Sequence, residues 1–503
     1  MKRALILTTV DCLRADHVGF LGYSRPVTPF LDSLALESVV FSNAIVAGAP
    51  TYFSFPAILA SRYPLALGRE VLGIAPGEPT IATVLRASGW KTAAFLAGNP
   101  YLSARFGYDQ GFETFEDFLD KPGGTLSLRS TSKGRPLSAV NRSLDSISHK
   151  MSWTGAAYDE LYFWYCQWRS TDRNVSMQKL RRYPSADVII KRACEWLGTV
   201  ENDNFFVWIH LMDPHHPYYP PEEAVLSMER PDLSPSRAQR LNALWNRSDI
   251  GPGRLQHYRD EIVALYDAGV YWADAQIARL VDLLKSLGRW ENSVFAVTAD
   301  HGEEFLEHGV RHHSPTHLPD ELIHVPLLIR NGAGPTVRHI EEPLSLIHLA
   351  PTLLECADVA MPTEFQGKRI WSDVVNKKAT REIVVTEVLD GCTNPFRVED
   401  RMRNRILSVR DDRHKLTINF TDKRESIVDV AAPQQGGVPE SGSTADSSRG
   451  KLLRAAYDHV RRSNRSRNVT PGLRARVHEF QSSSAMGPKP STTSPEVPPT
   501  SCG

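Results

Sequence analysis

Ala4-Leu5-Ile6-Leu7-Thr8-Thr9 is a short apolar-to-neutral run that passes through Val10 and ends on Asp11. Far along the chain, Ser293-Val294-Phe295-Ala296-Val297-Thr298 does the same, running into Ala299-Asp300-His301-Gly302-Glu303-Glu304. Such runs, without polar alternation and rich in β-branched residues, read as strands buried on both faces, as in a parallel sheet. An acidic residue just past each run puts a carboxylate at the carboxyl end of a strand. Open α/β sheets bind their ligands there.

Working outward, strand and helix signals alternate. Thr28-Pro29 reads as an N-cap and first-turn proline opening a helix to about Leu36. Val39–Val46 is extended, Thr80 starts a helix that stops at Gly89, and Thr92–Ala97 is a strand. Ala186–Thr199 reads as a helix and Phe205–His210 as a strand. A long helix runs from about His257 to Leu287, with Ile277, Leu280, Val281 and Leu284 on one face. Val325–Ile329 is a further buried strand. The expected fold is α/β, a mostly parallel central sheet flanked by helices, over residues 1–357. It carries a polar insertion at about 121–148 and an aromatic stretch, Tyr158–Trp168. A smaller C-terminal α+β unit is expected over 358–430, with strands at Ile383–Glu387, Ile406–Arg410, Leu416–Phe420 and Ile427–Val430. Residues 431–503 read as a mostly disordered tail with one helix around Leu452–Arg462.

The chain has 503 residues, 41% apolar and 23% charged, with Lys+Arg and Asp+Glu equal at 58 each. That balance gives no footprint for nucleic acid or a membrane surface. The tail holds ten Lys/Arg against five Asp/Glu, near +5, which leaves the body near −5. Cys12, Cys166, Cys194, Cys356, Cys392 and Cys502 form no C-x-x-C pair and suggest reduced thiols. Met1-Lys2-Arg3 resembles the start of a signal peptide, but the following apolar run is short, contains Thr8 and Thr9, and reaches Asp11 without a cleavage site. No run approaches the ~18–20 apolar residues of a membrane span. The expectation is a cytoplasmic protein with Ala4–Val10 as a core strand.

Five places can carry chemistry. Asp11 is a good oxygen ligand for a hard metal, although a lone Asp after a strand is more often a turn or cap. Asp300 and His301 can offer oxygen and nitrogen to one ion, with Gly302 letting the backbone turn sharply behind them. Thr51, in Ala49-Pro50-Thr51-Tyr52-Phe53-Ser54, is either a helix-start residue or a hydroxyl nucleophile, and both can hold, because a helix N-terminus also favours an anion. His210-Leu211-Met212-Asp213-Pro214-His215-His216-Pro217-Tyr218 follows a strand. His308, His312, His313, His317 and His324 form a histidine-rich stretch that suggests an anion or metal site.

In order, these motifs resemble the sulfatase family of the alkaline phosphatase superfamily. The likeness runs from the first strand to about Val430. It includes Val10-Asp11-Cys12-Leu13-Arg14-Ala15-Asp16-His17, Gly22-Tyr23, Thr28-Pro29, Gly111-Phe112-Glu113, the Asp213–Tyr218 segment, Asp300-His301-Gly302-Glu303, Ala350-Pro351-Thr352-Leu353-Leu354, Ser408-Val409-Arg410 and Lys415-Leu416. There are departures. Formylglycine sulfatases carry Cys or Ser in C/S-x-P-S-R, whereas Thr51-Tyr52-Phe53-Ser54-Phe55 stands here, and threonine cannot become formylglycine by that route. Threonine in this place resembles the phosphoethanolamine and glycerol-phosphate transferases and the nucleotide phosphodiesterases of the superfamily. Cys12 stands where many members have a second Asp and is not expected to bind a hard metal. Asp300-His301 replaces the Asp-Asn of many sulfatases.

The expected function is a metal-dependent hydrolase of sulfate or phosphate mono- or diesters. One divalent ion (Ca²⁺, Mn²⁺ or Zn²⁺) is expected on Asp11, Thr51, Asp300 and His301. Thr51 is the expected nucleophile, with His215 and His313 binding non-bridging oxygens and protonating the leaving group. The resemblance puts His313 about where relatives keep a substrate-facing Lys or His. The expected substrate is a small-molecule or glycan ester. The alternatives are a phosphotransferase passing a head group to an alcohol and a non-catalytic sulfatase-like binding protein. Metal content separates the last from an enzyme.

Overall fold

Each residue of the first strand, β1 (Ala4–Val10), is buried, as a strand in the middle of a covered sheet must be. The computed structural model describes residues 2–69, 71–119, 176–200, 202–332, 338–378, 382–430 and 443–466. The polar insertion at 121–148, the aromatic stretch Tyr158–Trp168 and the end of the tail, Ser482–Gly503, lie outside them.

The other strands of the main sheet are β2 (Val39–Ile45), β3 (Lys91–Leu96), β4 (Thr114–Glu116), β5 (Phe205–Leu211), β6 (Ser293–Ala299), β9 (His324–Asn331), β10 (Arg338–Ile340) and β11 (Leu344–Ser345). Between β6 and β9 the chain forms a small ribbon, β7 (Glu304–Phe305) with β8 (Arg311–His312). The sheet runs β10-β2-β9-β6-β1-β5-β3-β4, and β11 also pairs with β2. All pairings are parallel except those of β9, which is antiparallel to β2 and β6. The expected mostly parallel, helix-flanked sheet is therefore present.

Among the helices, α1 (Pro29–Ala35), α4 (Ala186–Leu197) and α5 (Arg259–Ser286) pack together, and α2 (Thr51–Ala60), α3 (Ile81–Ala87) and α6 (Leu349–Cys356) form a second group. Thr80 begins α3 through a capping box with Thr83, which satisfies donors that a helix start leaves free. Thr28 does not cap α1 with its side chain. Its hydroxyl accepts from Gly19 N at 2.8 Å and donates to Asp32 at 2.9 Å. The free donors Phe30 N and Leu31 N go instead to the Asp274 carboxylate of α5, at 2.9 and 2.8 Å. Among the described residues, no helix is long and apolar enough to cross a membrane.

A second, antiparallel sheet follows in chain order: β12 (Val384–Leu389), β13 (Arg405–Arg410), β14 (His414–Asn419) and β15 (Arg424–Asp429). A helix, α7 (Ser443–Ser466), packs on it. Leu452 and Ala456 are buried with Leu407, Val409, Leu416 and Ile418. His459 Nε2 lies 3.0 Å from the buried Glu387 Oε2. So the tail expected to be mostly disordered contains a packed helix, longer than Leu452–Arg462. The physical reason is Leu452, Ala456 and Val460 at i, i+4, i+8 among charged neighbours.

Asp320 of the main unit ties this sheet down. It accepts from Lys415 Nζ at 2.6 Å and Arg410 NH1 at 3.0 Å. Burial alone would raise its carboxyl, but Lys415 and Arg410 outweigh burial and hold it down at about 2. A carboxyl depressed in the folded state adds stability above its unfolded pKa, and that stability is lost as pH falls through the folded value. Asp320→Asn should therefore cost about 1–2 kcal/mol near neutral pH. In urea titrations, the gap between the variant and the parent should close as pH falls from about 4 to about 2.

Candidate active site

The sheet register sets the site. Val10 at the end of β1 pairs with Ala299 of β6 on one side and Leu211 of β5 on the other. The next residues, Asp11 and Asp300, therefore leave the sheet side by side, and both are fully buried. Asp11 Oδ2 accepts from Asn99 Nδ2 at 3.0 Å and His210 Nε2 at 3.2 Å. His210 is held by the Thr9 hydroxyl on Nδ1 at 2.9 Å, and Trp208 Nε1 donates to that hydroxyl at 3.0 Å. Burial opposes the charge on Asp11, yet His215, His210 and His301 outweigh it and keep the carboxyl well below its ordinary range.

Asp300 is the opposite case. Burial and the neighbouring Asp11 charge push its carboxyl up to about 7, and its Oδ2 has no hydrogen-bond partner. His301 Nδ1 donates to the Gly302 carbonyl at 2.8 Å, which leaves Nε2 with the lone pair. That nitrogen lies 3.2 Å from Thr51 Oγ1, 3.6 Å from Asp300 Oδ2 and 3.7 Å from Asp11 Oδ1. Burial and His313 hold the imidazole down at about 4, so it is neutral near pH 7. Donor atoms of Asp11, Asp300 and His301 all fall within 4.8 Å of one another.

Thr51 is the first residue of α2, 4% exposed. The helix start leaves backbone N–H groups aimed outward, a setting for an anion. Thr51 opens onto a cavity of about 410 Å³ whose lining includes Asn99, Tyr101, Tyr183, His215 and His313. His313 Nδ1 faces Glu303 Oε2 at 3.4 Å. Burial would lower its pKa, but Glu303, Asp11 and Asp300 outweigh burial and raise it. His215 sits beside it, ring centroids 5.1 Å apart, with its pKa lowered by burial.

The expected residues Asp11, Thr51, Asp300, His301, His215 and His313 thus come together. Other candidates do not join them. Asp213 accepts from Arg181 and from Ala186 N at the start of α4. His308 pairs with Glu321, His317 with Glu304, and His324 with the Ser42 carbonyl. Gly302 earns its place by space and not by a left-handed turn, because a Cβ there would lie 2.0 Å from the Glu321 backbone oxygen. Asn99 and Glu303 join the site without being among the expected residues. Asn99 closely follows β3, so the strand-end signal that exposed Asp11 and Asp300 was available for it too.

Comparison with known proteins agrees with the fold. The family model described as Sulfatase matches residues 3–359. An ulvan-active sulfatase of Formosa agariphila is 24% identical over 403 residues, covering 77% of this chain and 68% of that protein. An arylsulfatase of Clostridium perfringens is 22% identical over 414 residues, 76% of this chain and 80% of that one. The crystal structure of a phosphonate monoester hydrolase of Agrobacterium radiobacter superposes with a TM-score of 0.65 at 17% identity, covering 92% of this chain and 96% of that one.

Because the turn after β6 is packed against Glu321, Gly302→Ala should displace the segment that carries Asp300 and His301. The expected cost is about 1–3 kcal/mol, read as a lower thermal midpoint.

Proposed function

The chain belongs to the sulfatase family and is an enzyme of its ester-hydrolase class, and from that premise we propose that it cleaves a sulfate or phosphate ester through Thr51. The observation that carries this is the Thr51 hydroxyl, at a helix N-terminus and 3.2 Å from the lone-pair nitrogen of His301. A hydroxyl that shares an ion position with that nitrogen becomes more acidic and can attack as an alkoxide.

The donor set fits a divalent cation. Two fully buried carboxylates meet at Asp11 and Asp300, and Asp300 Oδ2 has no hydrogen-bond donor. Buried like charges are unfavourable without a compensating cation. Asp11, Asp300, His301 and the Thr51 oxygen would hold the ion, and the mixed oxygen and nitrogen set suits Mn²⁺ or Zn²⁺ as well as Ca²⁺. Bound there, the ion would polarise the ester and make the threonine hydroxyl more acidic.

The chain's own residues do the rest. Thr51 Oγ1 attacks phosphorus or sulfur in line, its proton leaves to solvent, and the bond to the leaving alcohol breaks. His313, whose pKa is raised by Glu303 against the effect of burial, gives the alcohol its proton. The N-terminus of α2 steadies the charge on the non-bridging oxygens, and His215 lines the approach. Water then attacks the phospho- or sulfo-threonine and restores Thr51. Tyr101 and Tyr183 on the wall suit the ring of a small-molecule or glycan leaving group. The reading includes a cytoplasmic location, supported by the free thiols of Cys12, Cys194, Cys356 and Cys392 and checked by cell fractionation.

Thr51→Ala should lower turnover at least about 1,000-fold on p-nitrophenyl sulfate or phosphate esters while circular dichroism stays native. Thr51→Ser should keep part of the rate. Near-normal turnover in Thr51→Ala would move the attack to water. Asp300→Ala should lose bound metal and activity together, and full metal occupancy by elemental analysis would overturn the ligand set.

A further inference from the structure

Glu387 of β12 is fully buried and bonds to the chain on both sides of α2, the helix that starts at Thr51. Its backbone N donates to the Ala47 carbonyl at 2.9 Å, in the segment that leads into Thr51. Its Oε1 accepts from Leu65 N at 3.0 Å, in the segment that leaves the helix. The neighbouring Thr386 hydroxyl donates to the Val46 carbonyl. The approach to Thr51 is also tightly packed. A Cβ at Gly48 would lie 2.8 Å from the Phe53 carbonyl oxygen and 2.9 Å from the Pro64 ring.

The second oxygen of this carboxylate is held from the tail. His459 of α7 donates to Oε2 from Nε2 at 3.0 Å, and Arg405 NH1 lies 3.4 Å from the same oxygen. His459 is buried, with its ring edge-on to Tyr63, centroids 4.5 Å apart. Tyr63 belongs to the same segment as Leu65. One buried network therefore joins the tail helix, the second sheet and both flanks of α2.

We propose that Glu387 and His459 are positioning residues for Thr51. The tail helix orients the Glu387 carboxylate, and β12 then fixes the flanks of α2 so that the threonine hydroxyl stands in line with the ester. The proposal rests on the reading of Thr51 as the nucleophile. A buried ionised carboxylate is a poor source of stability, because its desolvation offsets much of what its partners return. Its bonds are directional, and a fully partnered network defines one geometry. The packing of α7 on the second sheet comes from Leu452 and Ala456, which leaves His459 free to act on Glu387. A displacement of about 1 Å in a reacting group costs up to about 100-fold in rate.

The test uses the full chain and p-nitrophenyl sulfate or phosphate esters. His459→Ala and Glu387→Ala should each lower kcat about 10–100-fold, with KM within about twofold of wild type and native circular dichroism. His459→Gln keeps a donor for Oε2, and Glu387→Gln keeps an acceptor for Leu65 N, so both should recover most of the rate. Hydrogen exchange read by mass spectrometry should quicken at residues 47–65 in the alanine variants and stay unchanged in β1, β5 and β6. Lys451→Ala, which removes the 3.1 Å pair of α7 with Asp411, should match wild type in rate and exchange. The His459 variants stand in if Glu387→Ala does not fold. Normal kcat in His459→Ala beside an inactive Thr51→Ala would overturn this proposal alone, whereas near-normal turnover in Thr51→Ala would overturn the nucleophile reading with it. Equal losses in the alanine and glutamine variants, with exchange quickened throughout the main sheet, would make the role purely structural and overturn the positioning.

Discussion

The in-register parallel pairing of β1 with β6 is the constraint on which the rest depends. Val10 lies opposite Ala299, so two acidic side chains emerge from adjacent strands at the same height. A slip of one residue would turn every side chain of β1 to the other face of the sheet. Because β1 is buried on both faces, such a slip would disturb packing on both, which makes the register firm. The placement of the two carboxylates is a by-product of core packing: the apolar strands fix where they stand, and the loops after them supply only the turn.

That placement is costly for the charges. Asp11 and Asp300 share a buried space, and the surroundings treat them differently. Asp11 is surrounded by histidines and hydrogen-bond donors and keeps its charge. Asp300 has fewer donors and is driven toward its neutral form by burial and by Asp11. The difference lies in the neighbours and not in depth, since both are fully buried. Trp208, Thr9 and His210 extend the support into the sheet interior, so the orientation of Asp11 is tied to side chains that are fully buried. Such buried networks work as a whole and are poorly described by single contacts.

Much of this was legible in the sequence. Doubly buried strands have no alternation to misread, so β1, β5 and β6 were found with bounds close to the observed ones. Asp11, Asp300 and His301 followed from lying just past strand ends, and Thr51 from an apolar helix start. What was not legible depends on distant partners. The helix after Thr28 has an N-cap sequence, yet its free donors are taken by Asp274, more than two hundred residues away. The five histidines from His308 to His324 look equivalent in a list of residues, but the ribbon β7–β8 and the contacts of Glu304 and Glu321 direct most of them elsewhere. Asn99 was overlooked because its nearness to Asp11 comes from the order β1-β5-β3, which no local pattern states. The helix α7 was half seen, because its polar composition hid three apolar residues on one face.

The central position of β1 has a consequence for how the chain reaches this shape. Both of its neighbours come much later, and Cys12 and His301 meet across 289 residues. During synthesis at about 5–20 residues per second, β1 waits many seconds for β5 and longer for β6. Its hydrogen-bonding edges lack their native partners throughout that time. Long-range parallel pairing of this kind is slow and leaves the chain open to aggregation. Yield on expression should therefore be governed by the delay before β6 emerges, so chaperone supply or a slower, cooler synthesis regime matters more for this protein than the final stability of its sheet.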